Sequence, residues 1–87
     1  MALLSDVKQA IIKKFSRGNG DTGSPEVQVA LLTKKIEEVT EHLGKHLKDN
    51  HTRRGLIKMV AKRRRLLNYL KTKSKSRFDK LTKEISL

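Results

Sequence analysis

Residues 24–45 read SPEVQVALLTKKIEEVTEHLGK, and this stretch predicts more of the architecture than any other part of the chain. Five aliphatic side chains recur in it at spacings of three and four: Val29, Leu32, Ile36, Val39 and Leu43. Such a stripe follows one face of an α-helix, and it suits a long helix that packs nearly antiparallel to a partner helix.

The start of this helix is marked by three consecutive residues. Ser24 is a good N-cap because its hydroxyl can accept a hydrogen bond from a backbone N–H of the first turn. Pro25 suits the first helical position, where its missing N–H would be unpaired anyway, and Glu26 meets the positive end of the helix dipole. We therefore expect a helix over about residues 25–45.

The flanking segments predict three further helices at about residues 4–16, 50–72 and 76–86. The stripes that indicate them are Leu4, Val7, Ile11 and Phe15 in the first; Leu56, Ile57, Val60, Leu67 and Leu70 in the third; and Phe78, Leu81 and Ile85 in the last. The third helix should begin near Asp49 or Asn50. Ser76 and Asp79 are three residues apart, which suggests a reciprocal cap for the last helix.

These helices predict an all-α fold in a single domain over residues 1–87. Three of the helices should form a compact antiparallel bundle. The first helix should be loosely attached, because residues 16–24 contain three glycines and no apolar side chain.

The strongest functional signal is a run of cations. The chain has a net charge of +12, and eleven Lys or Arg lie between Asn50 and Phe78 with no Asp or Glu among them. They are Arg53, Arg54, Lys58, Lys62, Arg63, Arg64, Arg65, Lys71, Lys73, Lys75 and Arg77. A solvated helix face usually carries compensating carboxylates, so this block predicts a polyanionic partner, with RNA or DNA first.

Composition excludes several other classes. The absence of cysteine removes disulfides, thiolate zinc sites and thiol nucleophiles. The N-terminus has no basic segment followed by an apolar run, which predicts neither a signal peptide nor a membrane span and favours the cytoplasm.

Two smaller motifs are candidates for specific contacts. Residues 21–28, DTGSPEVQ, form a turn and a helix cap, and the same backbone could also approach a phosphate or ribose, with the amide of Gln28 free to reach a base edge. The second motif surrounds the joint between the second and third helices: His42, His46, Asp49, His51 and Thr52. A metal site is one interpretation of these side chains, but hydrogen bonding to the shallow minor groove of A-form RNA is the better one.

Three segments carry a resemblance to a known family. Residues 21–28, residues 42–56 (HLGKHLKDNHTRRGL) and residues 63–70 (RRRLLNYL) resemble the bacterial small-subunit ribosomal protein fifteen family, in the same order and over essentially the whole chain. The resemblance implies a non-enzymatic rRNA-binding protein, without a cofactor, that holds a three-way junction of the central domain early in assembly. Its implied partners are small-subunit rRNA, neighbouring small-subunit proteins and large-subunit rRNA at an intersubunit bridge, and the free protein is expected to be monomeric.

The resemblance also implies three groups of RNA contacts. Junction contacts would fall on Thr22, Gly23, Gln28, Lys35, Arg65 and Tyr69. Minor-groove contacts would fall on His42, His46, Asp49 and Thr52. Phosphate contacts would fall on Arg53, Arg54, Lys58, Arg64 and Lys73.

Two positions depart from the usual family pattern, since Thr52 stands where Ser is typical and Asn50 where His is typical. Threonine keeps the hydroxyl but restricts χ1. A basic DNA-binding helical module is the main alternative function, and a histidine-dependent nuclease or metal hydrolase is a more distant one.

Overall fold

The computed structural model describes residues 5–18 and 23–85, and within these ranges it contains four α-helices and no strand. The helices are α1 (Ser5–Phe15), α2 (Pro25–Lys45), α3 (Asn50–Lys73) and α4 (Lys75–Ile85). The all-α, four-helix prediction is confirmed. Thr22 and the rest of residues 19–22, which include much of the predicted flexible joint, lie outside the described residues.

A contact beside the connecting turn and another further along the helices show that α2 and α3 run antiparallel. Residues 46–49 connect them, and beside this turn His42 of α2 contacts Asp49. Further along, Arg63 of α3 donates a hydrogen bond to the hydroxyl of Thr33 in α2, at 3.4 Å. The predicted antiparallel packing of the second helix is therefore present.

The buried core consists of aliphatic side chains. Val29 of α2, Leu70 of α3 and Leu81 of α4 form its buried cluster. Partly buried side chains pack around this cluster: Phe15, Leu66, Leu67, Phe78 and Ile85. No residue of α1 is buried, and this helix contacts the core cluster through the partly buried side chain of Phe15.

The cap predicted for α2 is confirmed. The Ser24 hydroxyl accepts a hydrogen bond from the Val27 N–H at 3.3 Å, and Pro25 is the first helical residue. Asp49 caps α3 in the same way, by accepting from the Thr52 N–H at 3.0 Å. Caps of this kind satisfy backbone donors that have no partner inside the helix.

Two local predictions are wrong. The first concerns Ile57, which belongs to the apolar stripe predicted to bury the third helix against the bundle but is 64% exposed. It lies thirteen residues from the buried Leu70, or about 140° around the helix, so it faces away from α2.

The second wrong prediction is the reciprocal cap of Ser76 and Asp79. α4 begins earlier, at Lys75, and the Ser74 hydroxyl accepts from the Arg77 N–H at 3.4 Å. Ser74 has the extended backbone of a cap (φ −157°, ψ 104°), and its own N–H donates to the Leu70 carbonyl at 2.8 Å. A single residue therefore ends α3 and begins α4.

None of the described helices is both long enough and apolar enough to span a membrane.

Candidate nucleic-acid interface

Asp49, at the turn between α2 and α3, organises the first cluster of polar side chains. Its Oδ1 accepts from the Thr52 N–H at 3.0 Å, and its Oδ2 accepts from the Thr52 hydroxyl at 2.6 Å. The same Oδ2 lies 3.0 Å from Nε2 of His42. The Thr52 hydroxyl, the Thr52 N–H and then the His42 ring hold the pKa of Asp49 well below its usual range, so the carboxylate stays ionised near neutral pH.

These bonds determine what the cluster can offer to a ligand. The Thr52 proton is committed to Asp49, which leaves the lone pairs of the hydroxyl oxygen as acceptors. A carboxylate has about four acceptor sites, and the contacts from Thr52 and His42 occupy three of those on Asp49. Asp49 is therefore mainly an organiser of its two neighbours, with one acceptor site remaining.

His46 belongs to the same cluster through ring stacking. Its ring centroid lies 4.4 Å from that of His42, with an angle of 27° between the planes. The i, i+4 spacing on α2 brings the two rings together. His51, by contrast, is exposed at the start of α3.

The second cluster lies at the N-terminal end of α2. Nε2 of Gln28 donates to the Gly23 carbonyl at 2.7 Å, so the prediction that this amide is free is wrong. The bond holds the side chain against the preceding turn and leaves its Oε1 as an acceptor. A Cβ placed on Gly23 would meet no atom of the described residues within 4 Å, apart from its chain neighbours, so packing against the described residues does not require glycine there.

Tyr69 of α3 is an exposed aromatic on the basic helix. Its side chain is 53% exposed, and the ammonium of Lys73 lies 5.9 Å from the centre of its ring. Tyr69 is thus an exposed ring with a cation beside it rather than a core residue. Such a ring can stack on a base or ribose while the cation meets a phosphate.

Each cluster contains a side chain from the same face of α2, Gln28 in one and His42 in the other. Gln28, Lys35 and His42 are spaced by seven residues, which places them in a row with about 10 Å between neighbours. The distance along the helix from Gln28 to His42 is about 21 Å. All three residues are partly buried. Because they belong to one helix, the helix fixes the separation between Gln28 and His42.

The predicted phosphate contacts divide between two sides of α3. Lys58, Arg65, Tyr69 and Lys73 follow one another at spacings of seven, four and four, and they share one side. Arg64 lies about 140° around the helix from Tyr69 and lines a groove against α4. The structure therefore does not bring all the predicted cations together.

Arg53 and Arg54 lie on the first turns of α3, near the Asp49 cluster. Nη2 of Arg53 donates to the Leu47 carbonyl at 2.7 Å, which ties this guanidinium to the turn between α2 and α3. Arg54 is exposed and is about 60° around the helix from Tyr69, so it continues the Tyr69 side.

Comparison with known proteins assigns the chain to a protein family. Residues 8–87 match the family model described as Ribosomal protein S15. The chain belongs to this family. It is 56% identical over 87 residues to the small ribosomal subunit protein uS15 of Desulforudis audaxviator (strain MP104C), a match that covers all of this chain and 98% of that protein. The resemblance drawn from the three motifs is confirmed, and membership of the S15 family makes the chain a structural component of the small ribosomal subunit.

One cation of the basic block has a carboxylate partner inside the chain that the sequence does not indicate. In this S15 family member Arg77 donates from Nε and Nη2 to the two carboxylate oxygens of Glu26, both at 2.7 Å. The Glu26 side chain is only 12% exposed, and its hydrogen bonds from Arg77 hold its pKa below the usual value against the opposing effect of burial. The bidentate pair fastens α4 to the N-terminal end of α2, beside Gly23 and Gln28.

The histidines do not assemble a metal centre within the part of the chain that the structure describes. No group of three His, Cys, Asp or Glu in these residues is arranged to hold a metal ion. His42 is committed to Asp49 and stacked on His46. These contacts favour an organised hydrogen-bonding surface.

Proposed function

We propose that the chain binds a three-way junction of the small-subunit rRNA central domain, early in assembly, as a single helical domain. The observation that supports this function best is that Gln28 and His42, one from each polar cluster, lie on the same face of α2, about 21 Å apart along its axis. The Asp49 cluster is already connected by hydrogen bonds, so little side-chain entropy remains to be lost when it binds.

The Asp49 cluster has the chemistry needed to read the minor groove of an RNA helix. This groove is wide and shallow in A-form RNA, and it presents 2′-hydroxyls and base edges. The guanine N2 amino group is a donor there. The Thr52 oxygen and the remaining acceptor site of Asp49 belong to short side chains held by hydrogen bonds, and they suit such donors. The stacked rings of His42 and His46 lie beside them.

The second cluster suits the junction itself. Apart from the chain neighbours of Gly23, no described residue comes within 4 Å of a Cβ placed there, and Gln28 presents an acceptor next to it. Lys35, Arg65 and Tyr69 would add charge and a stacking surface, with Thr22 as a further contact. Arg54, Lys58 and Lys73 would fix the register through phosphates, because backbone contacts position a protein while groups at base edges specify the site.

The mechanism is then the selection of one RNA arrangement. A rigid helix that carries both clusters binds best when the junction helices have one particular separation and angle, so binding shifts their population toward that arrangement. Stoichiometric binding rather than turnover follows from this mechanism. The proposal includes a monomeric free protein in the cytoplasm, contacts with neighbouring small-subunit proteins, and contact with large-subunit rRNA at the subunit interface.

Affinity for matched RNAs tests the proposal. The protein is titrated with a central-domain rRNA fragment that contains the junction and with a disrupted junction of equal length and charge, over a range of salt concentrations. Tight binding that survives moderate salt only with the intact junction is expected. Equal and steeply salt-dependent binding to both RNAs would reduce the chain to a general polycation, and stronger binding to duplex DNA would favour the DNA-binding alternative.

Replacing Lys73 by glutamine should weaken both RNAs alike. The Lys73 ammonium lies beside the Tyr69 ring at the exposed end of α3, where it can meet a phosphate but reads no base. We expect the slope of log affinity against log salt to fall by roughly one for both RNAs. Lys75→Gln should weaken both RNAs in the same way, and a loss confined to the intact junction would contradict the assignment of Lys73 to phosphate.

A further inference from the structure

The groove between α3 and α4 is a second basic surface of α3, on the side away from Tyr69. It has a volume of about 400 Å³, and its apolar floor contains Val60, Leu67 and Phe78. Arg64 and Lys71 also line it, together with Arg63, and none of the described residues that line it is Asp or Glu. The Lys71 ammonium lies 5.7 Å from the centre of the Phe78 ring, so the cation and the aromatic floor belong to one surface. We call these residues the α3/α4 groove.

Ile57 extends the apolar strip of the α3/α4 groove along α3. Its side chain is 64% exposed, and it precedes Val60 by three residues and Arg64 by seven. Residues at these spacings share a helix side. The distance from Ile57 to Lys71 is about 21 Å along the axis, which matches four turns of a partner helix.

The two sides of α3 differ in the chemistry they offer. The Tyr69 side combines Lys58, Lys62 and Arg65 with an aromatic ring, which are the groups that phosphates and bases require. The α3/α4 groove instead joins aliphatic surface to cations. Phosphates gain nothing from aliphatic side chains, whereas an amphipathic helix buries its apolar face in such a groove and pairs its carboxylates with the cations.

We infer that the α3/α4 groove, together with Ile57, binds an acidic amphipathic helical segment of a neighbouring protein. The charge is complementary because the described lining of the groove contains cations and no carboxylate. Arginine and aromatic side chains are also enriched where proteins meet. The site lies about 140° around α3 from Tyr69, so a protein can occupy it while RNA occupies the opposite side.

A designed peptide tests this inference on the full chain. The probe has about 14 residues, with leucines at positions i, i+3, i+4 and i+7 and glutamates on the opposite face. A scrambled peptide of the same composition, without an apolar face, is the control. We expect the amphipathic peptide to bind at least about tenfold more tightly than the scrambled one, both to the protein alone and to the protein saturated with junction RNA.

Three variants locate the binding site. Ile57→Ser and the pair Arg64→Gln with Lys71→Gln should each weaken the peptide at least about fivefold. The matched pair Lys62→Gln with Arg65→Gln removes the same two types of charge from the opposite side of α3, and it should leave peptide affinity unchanged. Circular dichroism verifies that every variant is folded.

Three results would overturn the inference: equal binding of the two peptides, equal losses from the two charge pairs, or displacement of the peptide from the junction-saturated protein by a short RNA duplex. The last result would make the groove a nucleic-acid site. Because peptide binding is measured first without RNA, its failure is distinguishable from a failure of junction recognition.

Discussion

Asp49→Ala is expected to weaken binding to the intact junction RNA by about tenfold or more, the loss typical of a missing charged hydrogen-bond partner. A generic RNA duplex should lose far less. The carboxylate bonds both the hydroxyl and the N–H of Thr52 and contacts His42, so its removal releases two side chains that the groove of the RNA is proposed to meet. Paired titrations with the two RNAs at one salt concentration measure the difference.

Two controls separate recognition from folding, because Asp49 also caps α3. Ser74→Ala removes the cap of α4 far from the cluster, and it should lower the melting temperature without a junction-selective loss. Thr52→Ser keeps the hydroxyl that bonds Asp49 and should retain most of the affinity. If Asp49→Ala weakens the duplex as much as the junction, specific reading at this cluster is refuted.

In this chain, the sequence predicts those features that depend on residues close together in the sequence, and it fails for those that depend on how the helices pack. The start of α2 could be predicted because Ser24, Pro25 and Val27 are neighbours whose cap geometry involves one turn. Ile57 could not be placed, because an aliphatic residue beside a core position looks the same in sequence whether it is buried or 64% exposed. The orientation of α3 against α2 decides between these cases, and that orientation depends on the whole bundle.

The candidate site shows the same division. Asp49 and Thr52 are three residues apart, so the sequence can predict a cap between them. The seven-residue spacing of Gln28, Lys35 and His42 likewise predicts that they share a helix face. The pair of Glu26 and Arg77 could not be predicted because 51 residues separate them. In sequence Arg77 is one more cation of the basic block, and only the packing of α4 gives it a carboxylate partner.

This pair gives the largest expected effect on stability. Glu26→Gln keeps the shape of the side chain but removes its charge, and the Arg77 guanidinium then loses a bidentate ionic partner at a largely buried position. Hydrogen bonds to charged groups contribute about 1.5–3 kcal/mol. We expect the free energy of unfolding at pH 7 to fall by about 2 kcal/mol, which corresponds to a melting temperature lower by about 8–16 °C in a domain of this size.

The pH dependence of that loss identifies its cause. Since the pKa of Glu26 is lower in the folded state than its ordinary value of 4.5, the unfolded chain binds more protons between the two pKa values. The stabilisation is therefore complete above the unfolded pKa and is lost as pH falls through the folded one. Urea unfolding of both proteins between pH 7 and pH 3 should show the difference between wild type and Glu26→Gln shrinking below about pH 4.5. A difference that stays constant down to pH 3 would mean that Glu26→Gln destabilises the protein through packing and not through the lost charge. The variant Arg77→Lys keeps the positive charge but cannot make the two guanidinium hydrogen bonds to Glu26, so it should lose only part of the stability at pH 7.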